Sequence, residues 1–273
     1  MIINGLPGDS ISANDRGLLY GDGVFRTLLI QQGKPLLWQQ HYCKLQHDCA
    51  EIGIKCPSID MLASDLQQLL NSRSELDSSA VVKIIITRGI STRGYAPAAN
   101  PQISRILSIS PVPDYPPFFS SLGIKAHLCK LRLGHQRRLA GIKHLNRLEN
   151  VLAAAEWNDD TIAEGILLDE EEHLIEGTRS NLFLVRNGKL YTPDLSKCGV
   201  AGLQRERVID YAKQRKIVCK ITELTMDDLQ SADEIFMVNS VIGLWPVREL
   251  PRFSCNHFPV SLQIQDWLNN GSA

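Results

Sequence analysis

No stretch of the chain approaches the roughly 20 consecutive apolar residues that a bilayer-spanning helix needs. The opening residues reach Asn4-Gly5-Leu6-Pro7 before an apolar run of signal-peptide length can form. A soluble, cytoplasmic protein without a membrane partner is therefore expected. Charge of neither sign dominates: 29 basic residues against 30 acidic ones leave a formal charge of -1. That balance argues against nucleic acid as a partner, and a small anionic ligand would have to be held by local positive groups. The seven cysteines show no CxxC pair, and Cys43, Cys49 and Cys56, six and seven residues apart, do not form a zinc pattern. Reduced thiols are expected instead. Also missing are GxGxxG after a strand, GxxxxGK[ST], HExxH and GxSxG, so nothing points to nicotinamide, nucleotide, metal or serine-hydrolase chemistry.

What is present is ordinary in bulk, with 44% hydrophobic and 22% charged residues over 273 positions, enough for one large or two modest domains. Val24 to Ile30 reads as a strand, Gln31 to Lys34 as a turn and Leu36 to Trp38 as its return. A helix from Gln39 places Tyr42, Leu45, Cys49 and Ile52 on one face, and a second covers Ile59 to Leu70. Asn71 to Ser79 is a polar loop, and Val81 to Thr87 and Ile103 to Ser110 are strands. Four prolines within Pro111–Pro117 mark a stiff linker. The division is thus residues 1–110, a linker over 111–119, and a second domain over 120–273. Beyond the linker come a strand at Gly123–Cys129, a basic loop at Leu131–Ala140 and a helix at Leu145–Trp157. A meander of strands follows, with Asn187-Gly188 as its clearest hairpin turn. The acidic run Asp169–Glu172 reads as a turn, Arg132, Arg137 and Arg138 as solvated basic residues or anion receivers. A helix after Gly202, a strand at Glu234–Val238 and an amphipathic helix at Leu262–Leu268 close the chain.

The segment Gly141-Ile142-Lys143-His144-Leu145-Asn146-Arg147-Leu148-Glu149 carries the most chemistry. Leu145, Leu148, Leu152 and Ala155 fit one buried helical stripe, which sets Lys143 just ahead of a packed helix. A partly desolvated amine there could attack a carbonyl or accept a proton, and a lysine with its head in water is the plainer alternative. Other combinations stand out: Asp15-Arg16 with Gly21-Asp22-Gly23 and Phe25; His41-Tyr42-Cys43-Lys44-Leu45; Arg93-Gly94-Tyr95; Glu176 with Asn181-Leu182-Phe183; Gly199 to Gln204; and Asn239-Ser240 after a strand. Taken singly, each has a bland reading as a turn, a solvated helix face or a glycine-led helix start.

Together these motifs resemble those of the class-IV, branched-chain-aminotransferase-like pyridoxal-phosphate enzymes of fold type IV, and among them the aminodeoxychorismate lyase family. The resemblance runs from about Ile3 to about Val247. It implies a two-domain α/β fold, a smaller N-terminal α/β domain and a larger β-rich C-terminal one with pyridoxal 5'-phosphate in the cleft, assembled as a homodimer. It implies that Lys143 carries the cofactor and that Glu176 keeps its pyridine nitrogen protonated. Lys44, where relatives have arginine, would meet the phosphate as a point charge, joined by the backbone after Gly202 at Leu203 and Gln204. Asn239, where many relatives have glycine, and Ser240 would add a second phosphate contact, and Asn181 belongs to the same cofactor motif. Thr27 would face the substrate, with Arg93, Tyr95 and Arg147 as candidates for its anionic groups. The implied reaction is proton abstraction at C4 of 4-amino-4-deoxychorismate with loss of the enolpyruvyl group, giving 4-aminobenzoate and pyruvate on the folate route. A D-amino-acid or branched-chain aminotransferase of the same fold is the alternative, and a non-catalytic cofactor carrier is a third.

Overall fold

Strand alternation sets the first layer. The computed structural model describes residues 1–72, 79–91 and 94–270, and the chain divides into two compact units. One comprises Met1–Pro113 and Ile142–Asn146, the other Asp114–Gly141 and Arg147–Ala273. The sequence-based division put Ile142–Asn146 with the C-terminal part. These residues instead run along the edge of a first-unit strand, bridging Val24 to His144.

The first unit holds β1 (Ile2–Ile3), β2 (Leu6–Pro7), α1 (Arg16–Tyr20), β3 (Gly23–Gln31), β4 (Lys34–Pro35), α2 (Trp38–Glu51), α3 (Ile59–Asn71), β5 (Ala80–Thr87) and β6 (Ser104–Pro111). Its six strands order as β2-β1-β6-β5-β3-β4. In β3, Val24, Arg26, Leu28 and Ile30 are buried, while Phe25, Thr27 and Leu29 on the opposite face are only half-buried. The buried face continues into β5 through Ala80, Val82, Ile84 and Ile86, paired directly with those positions. It is closed by Leu45 and Cys49 of α2 and by Leu62, Leu66 and Leu69 of α3. Burying each such side chain contributes roughly 1.5–3 kcal/mol. The return strand is shorter than expected and earlier, at Lys34–Pro35, because α2 already begins at Trp38. The face of α2 also differs. His41 and Asp48 are buried with Leu45 and Cys49, while Tyr42 and Ile52 are partly covered. The expected loop at Asn71–Ser79 falls mostly on residues 73–78, outside the described ones.

The second unit holds α4 (Phe119–Leu122), β7 (Ile124–Leu133), α5 (Leu148–Ala154), β8 (Ile162–Asp169), β9 (Leu174–Gly177), β10 (Asn181–Arg186), β11 (Lys189–Pro193), α6 (Leu203–Gln214), β12 (Cys219–Thr222), α7 (Met226–Gln230), β13 (Glu234–Asn239), β14 (Gly243–Leu250), β15 (Phe253–Ser254) and α8 (Pro259–Asn270). Its nine-stranded sheet runs β12-β11-β10-β13-β14-β7-β8-β9, with β15 on β14 and a further β9–β10 pairing. Two clusters fill it: Ile166, Leu168, Leu182, Leu184 and Met237 on one side, and Phe183, Phe236, Val208, Tyr211 and Ile264 under α6 and α8 on the other.

Two expectations fail here. β7 runs on to Leu133, so the basic loop begins later, and Arg132 is strand-borne and paired with Glu172 through Nε at 2.7 Å. The helix after Lys143 starts at Leu148, and its supposed buried stripe is exposed, Leu148 by 68% and Leu152 by 53%. Only Ala153 of α5 is buried, because Ile142 and Leu145, not the helix, carry the segment's packing in the first unit. Among the described residues no helix is long and apolar enough to cross a membrane.

Candidate active site

Lys143 is fixed through its main chain. Its N–H donates to Asp48 Oδ2 at 3.1 Å, and its carbonyl accepts from Phe25 N at 3.0 Å. The next contact, Leu145 N to Gly23 O at 3.0 Å, continues this ladder along β3. The amine then lies over the Phe25 ring, 4.6 Å from its centroid. Phe25 and Thr27 occupy the same face of β3, so the structure brings Thr27 and Lys143 to one side of the sheet. Lys83, directly opposite Thr27 in register, sets its own amine 4.8 Å from the same ring. No motif marked Lys83 in advance.

Behind the lysine segment sits a buried polar group. Asp48 is fully buried, Arg26 is 3% exposed by side chain, and Arg26 Nη2 donates to Asp48 Oδ2. Arg26 Nη2 also donates to the Lys44 carbonyl at 3.2 Å, which ties the half-buried Lys44 into α2 by its backbone. His41 is buried beside them. Burial above all, and then the nearby Arg26 and Lys143 charges, pushes its imidazole down to about 3, so it stays neutral at physiological pH.

The Asp15–Phe25 motif is a frame. Asp15 caps α1 by accepting from Gly17 N, and takes the Thr87 and Ser104 hydroxyls on Oδ2. Gly21 closes the helix at φ 64°, where a Cβ would come within 2.6 Å of Asn146 Oδ1. Asp22 Oδ2 is shared by Arg16 at 2.7 Å and Arg88 at 2.8 Å, and these two guanidinium groups hold its carboxyl below the usual range despite burial. Arg16 in turn donates to the carbonyls of Gly94 and Tyr95. The Tyr95 side chain is 82% exposed, 5.2 Å from the Tyr20 ring centre to centre. Arg93 lies outside the described residues.

In the second unit, Glu176 and Asn181 face each other across β9 and β10, and both grip one loop. Glu176, 3% exposed, accepts from Val200 N at 2.8 Å. Asn181 donates to the Val200 carbonyl at 2.7 Å and accepts from Gly202 N at 3.1 Å. Its amide therefore positions the loop. Gly202 caps α6 without a side chain, and a Cβ there would lie 2.3 Å from Asn181 Oδ1. Leu203 and Gln204, both buried, form the first helical positions, whose N–H groups have no partner within the helix. Asn239 closes β13. Its Oδ1 accepts from Val241 N and Ile242 N, and its Nδ2 donates to the Arg179 carbonyl, so it shapes the turn that carries Ser240. Glu164, fully buried and unmarked in the sequence reading, accepts the Thr178 and Ser180 hydroxyls and so holds the turn between Glu176 and Asn181. Arg147 stands at the N-cap of α5, with Nη1 3.4 Å from Asn150 Oδ1.

The sequence profile described as Amino-transferase class IV matches residues 23–250. The chain belongs to the class IV amino-transferase family. Within that family it is 35% identical to the aminodeoxychorismate lyase of Vibrio harveyi, over 90% of this chain and 89% of that one. The crystal structure of 4-amino-4-deoxychorismate lyase from Pseudomonas aeruginosa superposes with a TM-score of 0.92 at 41% identity, covering 98% and 97% of the two chains. A Methanocaldococcus jannaschii protein described provisionally as a branched-chain-amino-acid aminotransferase is 30% identical over 88% of this chain and 82% of its own. Membership agrees with the mixed α/β architecture expected from the motifs. The class IV match begins at Gly23, so β3 with Thr27 and the Lys143 and Glu176 segments all fall inside it.

Proposed function

We propose that this class IV protein is a pyridoxal-phosphate-dependent lyase that converts 4-amino-4-deoxychorismate to 4-aminobenzoate and pyruvate. What carries this over an aminotransferase reading is similarity along nearly the whole chain to the Pseudomonas aeruginosa lyase, at 41% identity against 30% for the aminotransferase relative.

The residues present fit the cofactor. Glu176 is a buried carboxylate held by Val200 N, and a pyridinium N–H is a partner suited to its negative charge. The backbone at Gly202 is bare because no Cβ fits there, and α6 begins directly after it, an arrangement suited to a phosphate. Lys143 offers its amine beside the aromatic face of Phe25, on a backbone anchored to Asp48. Leu203, Gln204, Lys44 and Ser240 would hold the phosphate, with Asn239 and Asn181 shaping the backbone around it.

Bound, the cofactor would supply a carbonyl for the Lys143 amine and a ring that draws electrons from the substrate. With the cofactor bound, the Lys143 amine would take the substrate's C4 proton at Nζ as general base. Glu176 would hold its negative charge toward the ring nitrogen. Lys143 Nζ then returns a proton to the departing enolpyruvyl carbon, with the Thr27 hydroxyl on the same sheet face as the second donor. Tyr95 and Arg147, with Arg93, would receive the substrate's carboxylates.

A homodimer in the cytosol completes the reading. Leu148, Val151 and Leu152 share one face of α5 and are 68%, 60% and 53% exposed, an apolar surface that suits a second copy. All seven cysteines are free, in keeping with a reducing compartment. The test supplies 4-amino-4-deoxychorismate without any keto acid and measures pyruvate, beside Lys143→Ala. Pyruvate from the wild type and none from the variant is expected, whereas product formed only after a keto acid is added overturns the lyase reading.

A further inference from the structure

Three chain segments of the second unit converge on one buried carboxylate. Asp169, 1% exposed, closes β8, and its Oδ1 accepts from Glu171 N at 3.0 Å and His173 N at 2.8 Å. That leaves Oδ2 turned toward two imidazoles: His135 Nε2 at 2.9 Å and His173 Nδ1 at 3.6 Å. Cys198, itself buried, joins His135 and Asp169 so that one donor atom from each lies within 4.8 Å of the others. Asp169, Glu171 and His173 form a second such group that shares Asp169.

The two imidazoles are set among carboxylates on both sides. His135 has Asp169 Oδ2 at one ring nitrogen and Glu170 Oε1 at the other, 3.3 Å from Nδ1. His173 has Asp169 at Nδ1 and Glu223 Oε2 at Nε2, the latter at 3.8 Å. Each ring thus lies between two carboxylates, with one nitrogen turned inward to the shared Asp169 oxygen and the other outward. His173 Nδ1 is buried and has no hydrogen-bond partner. A His whose outer nitrogen faces a carboxylate while the inner one faces a shared cluster is the arrangement that metal-bound histidines adopt. Lys197, paired with Glu171 at 2.5 Å and Glu223 at 3.2 Å, neutralises the outer carboxylates without reaching the shared oxygen.

We propose that His135, Asp169 and Cys198 form a three-ligand binding site for a divalent cation of the zinc type, which leaves a fourth coordination position open. Zinc bonds of about 2.0–2.3 Å to nitrogen, oxygen and sulfur set tetrahedral donors roughly 3.5 Å apart, a modest contraction of the spacing seen here. Binding releases the Cys198 thiol proton to solvent and replaces the His135–Asp169 hydrogen bond by two metal bonds. Burial first, and then Asp169 and the neighbouring carboxylates, pushes that thiol up to about 12. The position gives the site a purpose. Gln136 N donates to the Lys197 carbonyl, Gly141 N to the Gly199 carbonyl, and Val200 N to Glu176. A cation joining His135 to Cys198 would thus brace the loop that grips Glu176. The inference does not depend on the lyase reading.

The test uses the full, tag-free chain, stripped with chelator and titrated with Zn2+ and, as a spectroscopic probe, Co2+. One equivalent per chain, with a sulfur-to-cobalt charge-transfer band and tetrahedral visible bands, is expected. Cys198→Ser should abolish the charge-transfer band and weaken Zn2+ at least tenfold, and His135→Gln should weaken it similarly. Circular dichroism of both variants shows that they fold, and should either fail, Asp169→Asn serves in its place. Less than a tenth of an equivalent bound, or Zn2+ affinity unchanged in the folded variants, overturns the site.

Discussion

Replacing Asp48 by Asn asks how much the buried polar group behind Lys143 contributes. Asn keeps the shape and an oxygen for the Lys143 N–H, but removes the charge that faces Arg26. With Asp48 fully buried and Arg26 3% exposed, the guanidinium loses its counter-charge where water cannot replace it. Breaking such a pair from one side costs about 3–5 kcal/mol. At about 1.4 kcal/mol per tenfold, opening of the first unit should become two to nearly four orders of magnitude more frequent. Urea titration followed by hydrogen exchange of the α2 and β3 amides reads that unit alone. The double variant Arg26→Met, Asp48→Leu should recover most of the loss, since apolar replacement of a whole buried pair is near neutral. A loss under about 1 kcal/mol for Asp48→Asn, or a double variant as unstable as the sum of its singles, would refute an ionised buried pair.

Other perturbations test neighbouring statements. His41 is held near 3 in the folded chain against 6.5 unfolded, so between these values the unfolded state binds the extra proton. Stability should therefore fall as pH drops from about 6.5 toward 3, by up to about 1.4 kcal/mol per unit, and His41→Gln should flatten that acid limb in urea titrations at stepped pH. Gly202→Ala drives a methyl onto Asn181 Oδ1 and should cost about 1–3 kcal/mol in Tm-derived stability, with weaker retention of pyridoxal phosphate on dialysis. Glu234 accepts Val260 N, Ser261 N and the Ser261 hydroxyl at the start of α8, so Glu234→Ala should loosen that helix by about 1–3 kcal/mol, visible as faster exchange of its amides.

Local chemistry was legible and long-range pairing was not. The β-branched run Val81–Thr87 and the Asn187-Gly188 hairpin appear at nearly their expected residues because both signals act within a few positions. β14 escaped notice because Pro246 argues against a strand interior. It is tolerated because the pairing with β7 starts only at Val247, so no ladder bond to β7 needs the missing N–H. Arg26 on a strand and Asp48 on a helix carry no local signal of burial. Only contact across 22 residues makes them a buried pair. The acidic run at Asp169 read as a plain turn, and its turn geometry is there, but two histidines and a cysteine meet it from segments no spacing rule connects. Likewise α5 carries helical apolar spacing, which a single chain leaves uncovered.

Lys143 is anchored through its peptide groups. Truncating it to alanine deletes one amine while the tethers to Asp48 and Phe25 persist, since both use atoms that alanine also has. The inactive protein should then keep an amine-sized vacancy above the Phe25 ring, and small primary amines added to the buffer should restore part of the turnover in order of their size and basicity.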